Sequence, residues 1–127
     1  MERFACIVVE DDVFSIDMLK DYINRKKELV LSGIGTELSE LKQLLEYVSP
    51  SIIFLDLIIP PGESMGFHYG ELPQSSFIIL TSAIPLYLYN GPLPKGTLYE
   101  LPKPISYENF SKCVDKVIVK LKNKNCE

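Results

Sequence analysis

Hydrophobic positions along the chain follow two alternating patterns. Compact apolar runs occur at residues 3–9 (RFACIVV), 51–55 (SIIFL), 76–80 (SFIIL) and 97–101, and a run of mixed polarity closed by glycines occurs at residues 29–35 (LVLSGIG). Short, β-branched and aromatic runs of this kind read as strands, and the continuous ones as strands buried on both faces. Between them the spacing turns helical. Over residues 13–27, Ile16, Leu19 and Ile23 share one face, while Lys20, Asp21, Asn24 and Lys27 fall largely outside it. Thr36 is placed to cap a second helix carrying Leu38, Leu41, Leu45 and Val48 on one stripe, which Pro50 stops. Ser106 caps a last helix with Phe110, Val114, Val117, Ile118 and Leu121 on one face.

The pattern breaks twice. After Asp56, Pro60, Pro61 and Gly62 force a turn, and Gly66, Gly70 and Pro73 make residues 64–72 a poor helix. Residues 83–96 contain Pro85, Gly91, Pro92, Pro94 and Gly96, which leaves room for one turn near residues 86–89 at most. Five strands alternating with helical or loop segments predict an α/β fold with a parallel sheet and crossovers on both faces. No repeat, low-complexity tract or linker divides the 127 residues, so residues 1–127 are expected to form a single domain.

Charge and cysteine content narrow the function classes. The net charge of −4 comes without any basic stripe, which argues against direct nucleic-acid contact by this segment. Cys6, Cys113 and Cys126 are odd in number and widely spaced, unlike a disulfide framework or a zinc site, and fit a reduced, cytoplasmic setting. No apolar stretch reaches the roughly 18 residues of a membrane span. The amino-terminal apolar run is short and leads straight into Glu10, Asp11 and Asp12, unlike a signal peptide.

The candidate chemistry lies at the strand ends. A parallel sheet delivers the last residue of every strand to one edge, where open α/β sheets keep their ligand sites. Strand one brings Glu10 and Asp11, strand three Asp56, strand four Thr81 and strand five Lys103. Singly these are ordinary: an acidic pair before a helix is most often a cap, and a lysine between prolines a solvated loop residue. Together they are three carboxylates, a hydroxyl and an ammonium from four strands. Two carboxylates about 4 Å apart repel by on the order of 4 kcal/mol at an effective dielectric near 20. A hard divalent cation such as Mg²⁺ would offset this. Asp56 would then suit a nucleophile forming an aspartyl phosphate, with Mg²⁺, the Lys103 ammonium and the Thr81 hydroxyl neutralising the transferred group.

At this point IVVEDD, FLDLIIP, ILTSA and ELPKPI, in this order and across nearly the whole chain, resemble the receiver domain of bacterial two-component response regulators. The resemblance implies a flavodoxin-like three-layer sandwich with a five-stranded sheet in the order 2-1-3-4-5. It implies that Asp56 accepts a phosphoryl group from a sensor histidine kinase or histidine phosphotransfer protein. It implies Mg²⁺ held by Asp11, Asp56 and the Ile58 backbone carbonyl, with Glu10 acting through water. It further implies Thr81 swinging toward the phosphoryl group, Lys103 pairing with it, a cis Lys103–Pro104 bond, and a homodimer or output face built from the fourth helix, fifth strand and fifth helix. Asp12 is left as a helix cap.

The chain departs from that pattern in several places. The position three before the lysine, usually aromatic in receivers, is Glu100, and Tyr99 stands one place earlier, so either Tyr99 substitutes or the aromatic switch is missing. The third and fourth helices look shortened or irregular. Ile58 and Ala83, two residues after the acceptor and the threonine, cannot orient a water, which predicts a long-lived phosphoryl state. The runner-up function is a pseudo-receiver acting as an unphosphorylated interaction module. A haloacid-dehalogenase-type phosphatase needs an acid where Ile58 stands and is rejected, and a nucleotide hydrolase is excluded by the lack of a GxxxxGK run. His68 reads as a surface loop residue. Leu86, Tyr87 and Tyr89 read as loop packing or a small exposed patch. Lys112, Lys116, Lys120, Lys122 and Lys124 read as a solvated helix face.

Overall fold

The computed structural model describes residues 2–59, 69, 72–95 and 98–125. Five strands, β1 (Phe4–Val9), β2 (Leu29–Gly35), β3 (Ile52–Asp56), β4 (Phe77–Ser82) and β5 (Leu98–Pro102), form one sheet in the order β2-β1-β3-β4-β5. All four pairings are parallel. Helix α1 (Val13–Arg25) follows β1, α2 (Leu38–Leu44) follows β2, and α3 (Tyr107–Asn125) follows β5. The parallel α/β sheet is the one the alternating pattern predicts, and its order is the flavodoxin-like one that the resemblance implies.

Strand alternation divides the core in two. Cys6, Val8, Ile52, Phe54, Ile79 and Leu101 point to the side covered by α1 and α3. Their neighbours Ile7, Val9, Ile53, Leu55, Ile78 and Leu80 point to the side covered by α2. β3 is buried at every position, as expected of a central strand flanked on both sides. The predicted stripe of the last helix, Phe110, Val114, Val117, Ile118 and Leu121, is buried throughout. Phe110 stacks on Phe54 at 5.6 Å between ring centroids.

The Asp12 carboxylate accepts from Ser15 N–H at 3.0 Å at the start of α1, and the Ser106 hydroxyl accepts from Asn109 N–H at 3.1 Å at the start of α3. Thr36 does not cap α2. Glu37 holds the cap position without a side-chain bond to the helix backbone, its carboxylate accepting instead from the Ser39 hydroxyl, and Thr36 donates its N–H and hydroxyl to the Glu40 carboxylate. α1 ends at Arg25 rather than near residue 27, because Lys26 turns extended and closes a short turn to Leu29.

Between β4 and β5 no α-helix forms among the described residues. A 3-10 turn, Leu86–Leu88, takes its place. Leu86 and Tyr89 lay their side chains on the α2-side core, where they do part of a helix's covering work, while Tyr87 is 85% exposed. The Tyr89 hydroxyl donates to the Pro92 carbonyl at 3.0 Å. A Cβ at Gly91 would meet that hydroxyl and its ring, so a larger residue there would need the Tyr89 side chain to shift. Most of the shortened third-helix segment, and His68, lie outside the described residues.

Two outcomes test this packing. Phe110→Ala should lower the unfolding free energy by about 3–5 kcal/mol in urea denaturation, and a loss below about 1 kcal/mol would contradict the Phe54–Phe110 contact as core. Burial pushes the Cys6 thiol up to about 12, an accepted backbone hydrogen bond from Val30 only partly opposing it. Cys6 should therefore resist alkylation near neutral pH in the folded protein and react once denaturant unfolds it, as peptide mapping would show.

Candidate phosphoryl-acceptor site

Register brings the strand-end residues together. Val9 pairs with Leu55, so Glu10 and Asp56 are next in line on adjacent strands. Asp56 pairs directly with Thr81, and Ser82 pairs with Pro102, which sets Lys103 just beyond the end of β5. The Lys103 N–H donates to the Ser82 carbonyl at 3.0 Å, and the Lys103–Pro104 peptide bond is cis.

The Lys103 ammonium lies 2.6 Å from Glu10 Oε1 and 3.0 Å from Asp56 Oδ2. Glu10 Oε2 accepts from the Asp11 and Asp12 N–H groups at 3.0 and 3.1 Å. Asp56 Oδ1 accepts from the Ile58 N–H at 2.9 Å. Glu10 is fully buried and Asp56 is 5% exposed, whereas Asp11 faces solvent. The Thr81 hydroxyl is buried and has no hydrogen-bond partner among the described residues. Burial raises the Glu10 carboxyl above its ordinary range, although the Lys103 bond pulls the other way. Burial alone would lower the Lys103 ammonium, but its bonds to Glu10 and Asp56 and their negative charge more than reverse this and hold it above its usual value.

One ammonium against three carboxylates leaves the cluster net negative. Glu10, Asp11 and Asp56 each offer an oxygen, and these atoms lie within 4.8 Å of one another. Clustered hard oxygen donors with uncompensated charge fit Mg²⁺, the cation that receiver folds imply. Asp56, Lys103, Thr81, Glu10, Asp11 and Ile58 are thus brought together.

Tyr99 does not stand in for the aromatic residue missing at Glu100. Neighbouring strand positions face opposite sides. Tyr99 packs toward the α1–α3 side, 6.3 Å from the Phe77 ring, and its buried hydroxyl has no partner among the described residues. Glu100 is exposed and its carboxylate accepts from the Leu86 N–H at 3.0 Å. That bond spans β5 and the 3-10 turn, and no spacing rule in the sequence signals it.

No family model matches the sequence. Among solved structures, the chain is similar to the receiver domain of the PhyR response regulator from Erythrobacter litoralis, at 16% identity over 94% of this chain and 92% of that one, with a TM-score of 0.72. It is similar to the response regulatory domain of mrkE from Klebsiella pneumoniae, at 17% identity over 94% and 98%, with a TM-score of 0.70. It is also similar to a CheY-like receiver domain from Methylobacillus flagellatus, at 12% identity over 91% and 99%, with a TM-score of 0.69. The chain has the fold of response-regulator receiver domains.

Removing the ammonium tests the charge balance. Lys103→Met should lower stability near neutral pH by about 3–5 kcal/mol, since it leaves two buried carboxylates uncompensated. A carboxyl raised by folding, like Glu10, stabilises the fold fully below its unfolded value of about 4.3, and this contribution is lost as pH rises through its folded value. The deficit should therefore shrink on acidification from about pH 7 to about pH 5 in thermal melts. A deficit independent of pH would show that the ammonium does not balance these carboxylates.

Proposed function

We propose that residues 1–127 act as one phosphorylatable receiver domain, in which Asp56 accepts a phosphoryl group from a phosphohistidine on a sensor kinase or phosphotransfer protein and the resulting change relays a signal. The observation that carries this reading is the Asp56 carboxylate 3.0 Å from the Lys103 ammonium and paired in register with Thr81, whose buried hydroxyl has no partner among the described residues. In the transfer, an Asp56 carboxylate oxygen attacks phosphorus. The new O–P bond forms as the P–N bond to the donor histidine breaks, and the electron pair leaves with the imidazole nitrogen.

Asp11, Asp56 and the Ile58 backbone carbonyl would hold Mg²⁺, with Glu10 acting through water. When bound, the ion supplies charge neutralisation at the phosphoryl oxygens. Lys103 would contribute the same kind of charge neutralisation, exchanging part of its present pairing with Glu10 and Asp56 for a phosphoryl oxygen. Thr81, whose hydroxyl has no partner among the described residues, would donate to that oxygen. A cytoplasmic setting suits a kinase-fed switch, and among the described residues no helix is long and apolar enough to cross a membrane. The same reading gives residues 83–95, β5 and α3 a self-association face, where Tyr87, Leu88 and Leu93 stand exposed.

Incubation with acetyl phosphate and Mg²⁺ should add one phosphoryl group by intact mass, and Asp56→Asn should abolish it. An unmodified wild type would contradict the reading. Ile58 is 52% exposed and Ala83 is also exposed, yet neither can orient a water. The phosphoryl state should therefore outlast minutes after removal of the donor, and loss within seconds would count against this.

A second reading, an unphosphorylated interaction module of the same fold, is favoured by Glu100 at the aromatic position and by the 3-10 turn that replaces the fourth helix. The same mass measurement separates the two.

A further inference from the structure

Lys103 can serve Asp56 only if the backbone beneath it is held. It follows β5, an edge strand, and enters a connection that runs into α3. On its amino-terminal side that backbone is tied by the Lys103 N–H to the Ser82 carbonyl, next to Thr81. Two residues past Lys103 a second tie arrives from the far end of the sequence. The Tyr22 hydroxyl, on α1, donates to the Ile105 carbonyl at 2.9 Å, across 83 residues. Ile105 itself is buried, 3% exposed, so the strand-to-helix connection is pinned at both its side chain and its carbonyl.

Tyr22 is in turn held from several directions. Its ring meets Tyr107 edge-on at 5.3 Å and lies 5.4 Å from Phe110. The Arg25 guanidinium sits 5.7 Å from its centroid and 5.0 Å from that of Tyr107. Asp21 pairs with Arg25 on the exposed surface at 2.7 Å. Ring packing alone would be satisfied by phenylalanine. The hydroxyl adds only the bond to the connection that carries Lys103.

We propose that Tyr22 is a positioning residue for Lys103: its hydroxyl, bonded to the Ile105 carbonyl, holds the segment after β5 so that the ammonium reaches Glu10 and Asp56 together. The consequence for phosphoryl transfer rests on the acceptor reading above. The placement of the ammonium does not.

Tyr22→Phe keeps the ring and removes the hydroxyl, so the fold should persist. The first readout is the lysine ammonium NMR signal. The Lys103 signal should move or broaden in Tyr22→Phe, while that of Lys26, which pairs with Asp115 across α1 and α3 at 2.6 Å, should stay in place. An unmoved Lys103 signal, or Lys103 and Lys26 moving together as α1 and α3 loosen, overturns the proposal. The second readout is the rate of phosphorylation by acetyl phosphate. Tyr22→Phe should slow it by about tenfold in the wild-type background, as a misplaced charge would, and should have little further effect in Lys103→Met. An equal fall in both backgrounds also overturns the proposal. A wild type that takes up no phosphoryl group refutes the acceptor reading by itself, and the ammonium signals then still decide the role of Tyr22.

Discussion

A single ammonium shared by two buried carboxylates holds the strand-end cluster together. Glu10 and Asp56 are brought side by side by the pairing of β1 with β3, and neither can escape to solvent. Two ionised carboxylates buried in contact would cost the fold several kcal/mol without a counter-charge. Lys103 supplies that charge, and the N–H groups of Asp11, Asp12 and Ile58 complete the solvation that water would otherwise give. The compensation is incomplete, because Asp11 adds a third carboxylate within reach. The fold therefore stores negative charge at one edge of the sheet, which is the electrostatic condition for attracting a cation there.

The two sides of the site differ in how firmly they are built. Toward α1 and α3, the connection bearing Lys103 is pinned by Tyr22, by the buried Ile105 and by the capped start of α3. Toward the 3-10 turn, an exposed carboxylate, Glu100, bonds one backbone N–H, and a proline-rich loop lays Leu86 and Tyr89 on the core. Exposed bonds of that kind contribute little and break easily. Rearrangement following a change at Asp56 or Thr81 would meet least resistance on this second side, which begins directly after β4.

Much of this was legible in the sequence because burial leaves a periodic trace. The compact apolar runs and the stripe from Phe110 to Leu121 mark the strands and the last helix with little ambiguity. Placing Glu10, Asp56, Thr81 and Lys103 at one edge required only that the strands be parallel. The Thr36 cap was misread because a hydroxyl next to a helix start has two partners to choose from, and Glu40 won over the free N–H groups. Tyr99 could not be assigned a side, because the sequence does not say where strand register begins. The Tyr22–Ile105 and Glu100–Leu86 bonds were invisible for another reason. Each joins a side chain to a backbone group, and a backbone group carries no residue identity to search for.

The most direct test of the central claim is to add beryllofluoride with Mg²⁺, a phosphoryl mimic, and record the amide NMR spectrum. If the Asp56 edge is a charge-balanced phosphoryl pocket, the signals of Asp56, Thr81, Ser82 and Lys103 should shift together, and Mg²⁺ alone should move a subset near Asp11 and Asp56. A spectrum unchanged by both additions would contradict it.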